Sequence, residues 1–177
     1  MRLFIAALIP ESTKKEISNF ISLLEDGNSG VKWETPEKLH ITLKFLGKVD
    51  KETYKKLKDA LKAELFDFAS FKLSIKELSV FPNYRKPRVI VLKLKECSHI
   101  KELQKRVENV CIDNGFNAEQ RRFIPHITIG RVKSSFNHNK DTNNYRFHEF
   151  YVNNVAIVES EISFKGSRYT KLDVFDL

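Results

Sequence analysis

"LHITLKFLG", residues Leu39 to Gly47, and "PHITIGR", residues Pro125 to Arg131, carry near copies of one four-residue phrase. His40-Ile41-Thr42-Leu43 and His126-Ile127-Thr128-Ile129 differ only in the last aliphatic residue. A chain with five histidines places two of them here. Along a strand, residues i and i+2 share a face. His40 with Thr42, and His126 with Thr128, therefore point one way, while Ile41, Leu43, Ile127 and Ile129 point into a core. A strand with one polar and one aliphatic face lines a cleft.

The surroundings of the phrase repeat as well. Arg2 to Leu8 alternates like a strand. Ser12 and Thr13 offer N-caps, and Glu16 stands in capping-box position three after Thr13. Ile17, Phe20, Ile21 and Leu24 form a helical stripe that stops at Asp26-Gly27-Asn28. Thr35-Pro36-Glu37 reads as a turn feeding a strand over Leu39 to Leu46. Asp50 opens a second helix with Tyr54, Leu57, Leu61 and Leu65 inward, and Phe71 to Val80 is strand-like. Then the pattern restarts. Arg88 to Leu94 is a strand, and a helix follows from Ser98, with Ile100, Leu103, Val107 and Val110 inward and Gly115 closing it. The His126 strand comes next.

The two phrases stand 86 residues apart (126 − 40), as do the strands that open each half (88 − 2). Self-similarity at this period predicts one domain over residues 1–177, built of two halves related by a pseudo-two-fold axis. That relation brings the cleft-facing strands together, with two imidazoles and two hydroxyls around one pocket. Beyond the second phrase the halves diverge. Ser134 to Tyr145 is polar and turn-rich, as a mobile loop would be. Phe150 to Val158 and Tyr169 to Phe175 read as closing strands.

Composition sets the bounds. A chain of 177 residues with 41% hydrophobic content and fourteen Phe can bury a sizeable core. No apolar run approaches the ~20 residues of a membrane span. The N-terminus lacks the basic stretch and cleavage site of a signal peptide, so cytoplasm is the default. Cys97 and Cys111 have no partners at ligand spacing and indicate neither a disulfide framework nor zinc. Lys and Arg number 31 against 23 Asp and Glu, a formal charge of +8. That balance favours anionic partners, nucleic acid among them, or else a solvated basic surface.

Two imidazoles and two hydroxyls suit phosphodiester chemistry. Imidazole titrates near ~6.5, so one ring can be neutral and the other protonated around neutral pH. The neutral ring takes a proton from an attacking water or hydroxyl. The protonated ring gives one to the departing ribose oxygen. Thr42 and Thr128 can hydrogen-bond the non-bridging phosphate oxygens as charge builds. The phrase offers no carboxylate, so it makes an incomplete metal site, and no metal or other cofactor is expected.

The sequence resembles the 2H phosphoesterase superfamily, and within it the LigT/ThpR-like RNA 2′,3′-cyclic phosphodiesterases (the 2′–5′ RNA ligase family). "RLFIAALIP" opens the chain as these proteins open, and "LHITLKFLG" matches the first motif with its flanks. "FPNYRKPRVIVLKL", "RRFIPHITIGR" and "GSRYTKL" match the middle strand, the second motif and the ending. The resemblance implies an α+β, bilobed fold with antiparallel sheets facing a central cleft and helices outside. It implies hydrolysis of RNA ends bearing a 2′,3′-cyclic phosphate to a 2′-phosphomonoester, with 2′–5′ ligation as the reverse. His40 would be the proton donor to the leaving 3′-oxygen and His126 the base that activates water. Thr42 and Thr128 would bind phosphate. The residues themselves do not distinguish the two histidines, and a monomer is expected.

Arg131 closes the second motif as the family's Arg does. By alternation it falls on the helix side unless Gly130 permits a bulge, so it is either a phosphate ligand or a structural ion pair. Phe45 stands at an odd offset from His40 and is expected in the core. Tyr84, Arg85 and Lys86 form either an RNA contact or a solvated turn. His99, His138 and His148 are expected as plain surface residues. Two other functions fit the same residues. One is a 2H phosphoesterase acting on small cyclic nucleotides or 2′–5′ oligonucleotides, and the other is a non-catalytic RNA-binding module.

Overall fold

The computed structural model describes residues 1–138, 140–164 and 166–177. Among them the elements run β1 (Arg2–Ala7), α1 (Glu11–Glu25), β2 (Val31–Trp33), β3 (Ile41–Lys48), α2 (Lys51–Leu65), β4 (Phe71–Leu73), β5 (Ile75–Phe81), β6 (Val89–Leu94), α3 (Ser98–Asp113), β7 (His126–Val132), β8 (Phe150–Val152), β9 (Asn154–Ser163) and β10 (Gly166–Asp176). Within Ser134–Tyr145, Lys140–Asn144 form a 3-10 turn, and Asn139 lies outside the described residues.

One antiparallel sheet has the order β10-β9-β1-β3-β7-β6-β5, and β2 joins it against β7. The expected single strands over Phe71–Val80 and Phe150–Val158 each break in two. The chain turns at Ser74 and at Asn153, and the leading pieces β4 and β8 pair with each other in a separate ribbon. In the main sheet β3 and β7, which carry the two phrases, meet through one bridged pair, Ile41 with Ile127. Past it, β7 pairs with β2 while β3 stays with β1. β3 and β7 therefore part company directly beyond the two histidines.

The helices cover one face of the sheet. Ile17, Phe20 and Leu24 of α1, Leu57 and Leu61 of α2, and Leu103 and Val107 of α3 are buried against Ile5, Ile41, Ile90, Leu92 and Ile127 in one core. The opposite face carries a smaller apolar cluster of Phe4, Ala6, Ala156 and Val158, packed by Leu8 and Tyr169. Asp50 caps α2 as its sequence predicts, accepting a hydrogen bond from the Thr53 amide at 2.9 Å. Gly115 follows α3 at φ 88°, and the Phe116 amide returns to the Cys111 carbonyl. The expected capping box on α1 does not form. That helix starts at Glu11 after Pro10, Thr13 is buried inside it, and Glu16 instead accepts from the His148 amide.

Candidate active site

The repeated phrase lands where β3 and β7 meet. His40 immediately precedes β3, and His126 is the first residue of β7. The antiparallel Ile41–Ile127 pair sets the two phrases side by side and turns their aliphatic residues to the helices, where Ile41, Leu43, Ile127 and Ile129 are buried. His40, Thr42, His126 and Thr128 face the other way. With Arg131, Tyr169, Phe4 and Lys38 they line a cleft of about 520 Å³.

Each strand carries a β-bulge one residue past its threonine. Opposite β1, the register passes from Thr42 (with Ala6) to Lys44 (with Ile5), so Leu43 is the extra residue. Opposite β6 it passes from Thr128 (with Val91) to Gly130 (with Ile90), so Ile129 is the extra residue. An extra residue reverses the alternation beyond it. The expectation for Phe45 changes as a result, and of the two readings left open for Arg131 the bulged one applies.

Phe45 is not in the core. It shares the cleft face with Phe4, 6.1 Å between ring centroids, and is 70% exposed. Lys44 takes the helix side in its place, 7% exposed, where its Nζ donates to Glu108 Oε1 and the Asn117 carbonyl, each at 2.7 Å. Arg131, placed on the helix side by simple alternation, likewise reaches the cleft. There its Nε donates to Glu34 Oε1 at 3.2 Å. Gly130 serves a different end. A Cβ there would stand 2.9 Å from Trp33 Cε3, so the glycine lets β2 lie against β7.

Both imidazoles are held in the same way. His40 Nδ1 stands 2.6 Å from the Lys38 carbonyl, and His126 Nδ1 stands 2.7 Å from the Ile124 carbonyl, each two residues back. A carbonyl only accepts, so Nδ1 carries the proton and Nε2 is left for chemistry. His40 Nε2 lies 3.0 Å from Thr42 Oγ1. The surroundings of the rings differ. Phe4 (4.9 Å) and Tyr169 (5.6 Å) wall His40, whereas Phe81 meets His126 edge-on at 5.0 Å.

Burial pushes the His40 pKa down to about 4, against the opposing pull of the Lys38 carbonyl, and the nearby His126, Lys14 and Arg131 push it the same way as burial. Burial also lowers His126, helped by Lys93, while the Ile124 carbonyl opposes it. In the free protein the cleft thus disfavours imidazolium at both positions.

Sequence reasoning missed Phe4, Lys38 and Tyr169 as cleft residues. Tyr169 sits in the quoted ending "GSRYTKL", but only strand pairing shows that β10 reaches the site. Burial, helped by the Glu34 carboxylate, raises its phenol pKa, and the Arg131 guanidinium opposes that shift. Among the other named residues, Arg85 and Lys86 lie in an exposed turn whose amides donate to Asn83 Oδ1. His99 is exposed and stacks on Phe71, and His148 pairs with Glu16. His138 is not a plain surface residue, because it is half-buried and stacks on both Tyr84 and Phe136. Among the described residues, no group of three or more His, Cys, Asp or Glu could hold a metal ion.

The model of the LigT like phosphoesterase family matches residues 8–91 and 92–160, so both halves fall within it. An RNA 2′,3′-cyclic phosphodiesterase of Methanothermobacter thermautotrophicus is 31% identical over 100% of this chain and 99% of its own length. Another of the same name from Methanocaldococcus jannaschii is 35% identical over 96% of each. TT0787 of Thermus thermophilus superposes with a TM-score of 0.87 at 27% identity, covering 100% of this chain and 98% of that one. E. coli LigT complexed with 3′-AMP shares the fold at a TM-score of 0.82 and 22% identity, over 99% and 97% of the two chains. The paired histidine phrases, the antiparallel sheet that joins them and these likenesses place the chain in the LigT-like family of 2H phosphoesterases, to which it belongs.

Proposed function

We propose that this protein is an enzyme that hydrolyses RNA 2′,3′-cyclic phosphodiester ends, with His40, His126, Thr42, Thr128 and Arg131 as its working residues. One observation carries the reading: two imidazoles share a cleft, each fixed through Nδ1 and offering Nε2. The relatives named RNA 2′,3′-cyclic phosphodiesterases, 31% and 35% identical over nearly the whole chain, supply the substrate class.

The phosphate lies between the Thr42 and Thr128 hydroxyls, which donate to its non-bridging oxygens, and Arg131 adds positive charge from the cleft wall. His126 Nε2 takes a proton from water as the water oxygen attacks phosphorus. The bond from phosphorus to O3′ breaks, and His40 Nε2–H protonates that oxygen, leaving a 2′-phosphomonoester. A 5′-hydroxyl in place of water gives the 2′–5′ ligation. General acid and general base each contribute roughly 10²–10⁴-fold.

A phosphodiester anion is integral to this chemistry. With His40 held at about 4, about one ring in a thousand is charged at pH 7 before substrate binds. The bound anion offsets part of that penalty and favours imidazolium beside it.

One observation favours the opposite assignment of roles, since His40 is the ring pushed down to about 4 in the free cleft. The leaving group at O3′ discriminates. A substrate with a good leaving group there needs no acid, so it rescues His40→Ala and leaves His126→Ala inactive. Rescue of His126→Ala instead exchanges the two roles, and no hydrolysis of any cyclic phosphate by the native protein defeats the proposal itself.

A further inference from the structure

One charged group in the cleft takes no part in the proton transfers. Glu34 stands between β2 and the 3-10 turn Pro36–Lys38, and its side chain is 13% exposed. A carboxylate repels a bound phosphate, and an enclosed one is costly unless its oxygens are matched. Both oxygens of Glu34 face cations. Oε1 accepts from Arg131 Nε at 3.2 Å, and Oε2 lies 3.9 Å from Lys38 Nζ. The backbone fixes where the carboxylate stands. The Glu34 amide donates at 2.9 Å to the carbonyl of Ile129, the bulge residue of β7, two residues before Arg131. On its other side the chain enters the turn whose Lys38 carbonyl anchors His40 Nδ1. Glu34 therefore joins the arginine of the second motif to the anchoring turn of the first.

The Arg131 side chain is 50% exposed, and a long side chain in that setting gives up rotamer freedom when it engages a ligand. Its contact with Glu34 uses Nε, which leaves both Nη groups to meet a phosphate as a planar fork. We infer that Glu34 is a positioning residue, which aims the Arg131 guanidinium at the phosphate without touching substrate itself. The inference rests on the proposed hydrolase reading, in which Arg131 faces the phosphate. Reach then matters more than charge. An uncharged acceptor at the same place still orients Nε–H, whereas a carboxylate drawn back by one methylene does not.

The test compares Glu34→Asp and Glu34→Gln on a 2′,3′-cyclic mononucleotide, with inorganic phosphate as a competitive inhibitor. Glu34→Asp should lower kcat/KM roughly ten-fold and weaken phosphate by a similar factor, the order of the rotamer freedom returned to an arginine. Glu34→Gln keeps the acceptor and loses only its charge, so it should recover to within about three-fold of the native protein. In an Arg131→Ala background neither substitution should have a further effect, as a residue that acts through Arg131 requires. Three results overturn the inference: Glu34→Asp as active as the native protein, Glu34→Gln as impaired as Glu34→Asp, or losses undiminished in the Arg131→Ala background. If the native protein hydrolyses no cyclic phosphate, the hydrolase reading fails separately. Calorimetric titration of inorganic phosphate into the same variants then still decides whether Glu34 aims Arg131.

Discussion

At the scale of single residues, the hydrogen bond from each Nδ1 to a carbonyl two residues back decides the chemistry, because it removes the tautomer in which Nε2 is blocked. His40→Ala and His126→Ala should each lower kcat/KM by roughly 10²–10⁴-fold. The double variant should be far less impaired than the product of the two losses, since in the proposed mechanism both rings act on one transition state. On the proposed mechanism Thr42→Ala or Thr128→Ala removes one donor to phosphate and should cost less, about 10–10³-fold. Steady-state kinetics on a cyclic nucleotide checks the order, and threonine losses as deep as the histidine ones would mean the proton-transfer groups are misassigned. The depressed imidazoles also predict an asymmetry in pH dependence. kcat/KM reports the free enzyme, so its bell should centre below 6.5, whereas kcat, measured with the anion bound, should hold to higher pH. For stability the sign runs the other way. The folded His40 binds its proton at about 4 and the unfolded one near 6.5, so stability is full above 6.5 and drains as pH falls from there toward 4. Urea midpoints across that window should fall less steeply in His40→Gln than in the native chain.

At the scale of elements, the two bulges do most to separate what the sequence discloses from what it conceals. The alternation rule places His40, Thr42, His126 and Thr128 correctly because all four lie before the extra residue. It misplaces Phe45, Lys44 and Arg131 because all three lie after it. Thr-Leu-Lys gives no sign of a bulge and Thr-Ile-Gly only a glycine that permits one, so each bulge shows only when its strand is set against its partner. The broken strands at Ser74 and Asn153 are hidden for the same reason, since β4 and β8 are strands through pairing with each other. The helices are easier to read, as their stripes are buried where periodicity puts them. The first bulge also creates the buried Lys44–Glu108 ion pair. Lys44→Met should destabilise the fold by about 3–5 kcal/mol, because it strands the Glu108 carboxylate. Adding Glu108→Leu should recover most of that loss in a denaturation series.

At the scale of the whole molecule, the chain presents a formal charge of +8 to an anionic substrate. Hydrolysis of oligonucleotide ends should therefore weaken with added salt more steeply than that of cyclic mononucleotides, which bring one phosphate. Proton transfer between two imidazoles asks for no divalent ion, so turnover should persist in excess EDTA. Loss of activity there, restored by a divalent metal, would overturn the two-histidine scheme. The 86-residue interval in the sequence has a structural counterpart at this scale. The two bulges fall at Leu43 and Ile129, the same distance apart (129 − 43), and each turns a residue beyond its threonine into the cleft. We propose on this basis that the halves are pseudo-repeats within one domain.

The matched anchoring of the two imidazoles has a consequence for direction. If both rings had identical neighbours as well as identical anchors, neither would be marked as acid or base, and a substrate could bind in either of two orientations related by the axis between them. Each orientation would expel a different ribose oxygen, and the product would be a mixture of phosphate isomers. The rings here do not have identical neighbours, since Phe4 and Tyr169 enclose one while Phe81 and Lys93 stand beside the other. On the proposed mechanism regioselectivity is then a property of the walls, and exchanging wall residues between the halves should erode it before it erodes rate.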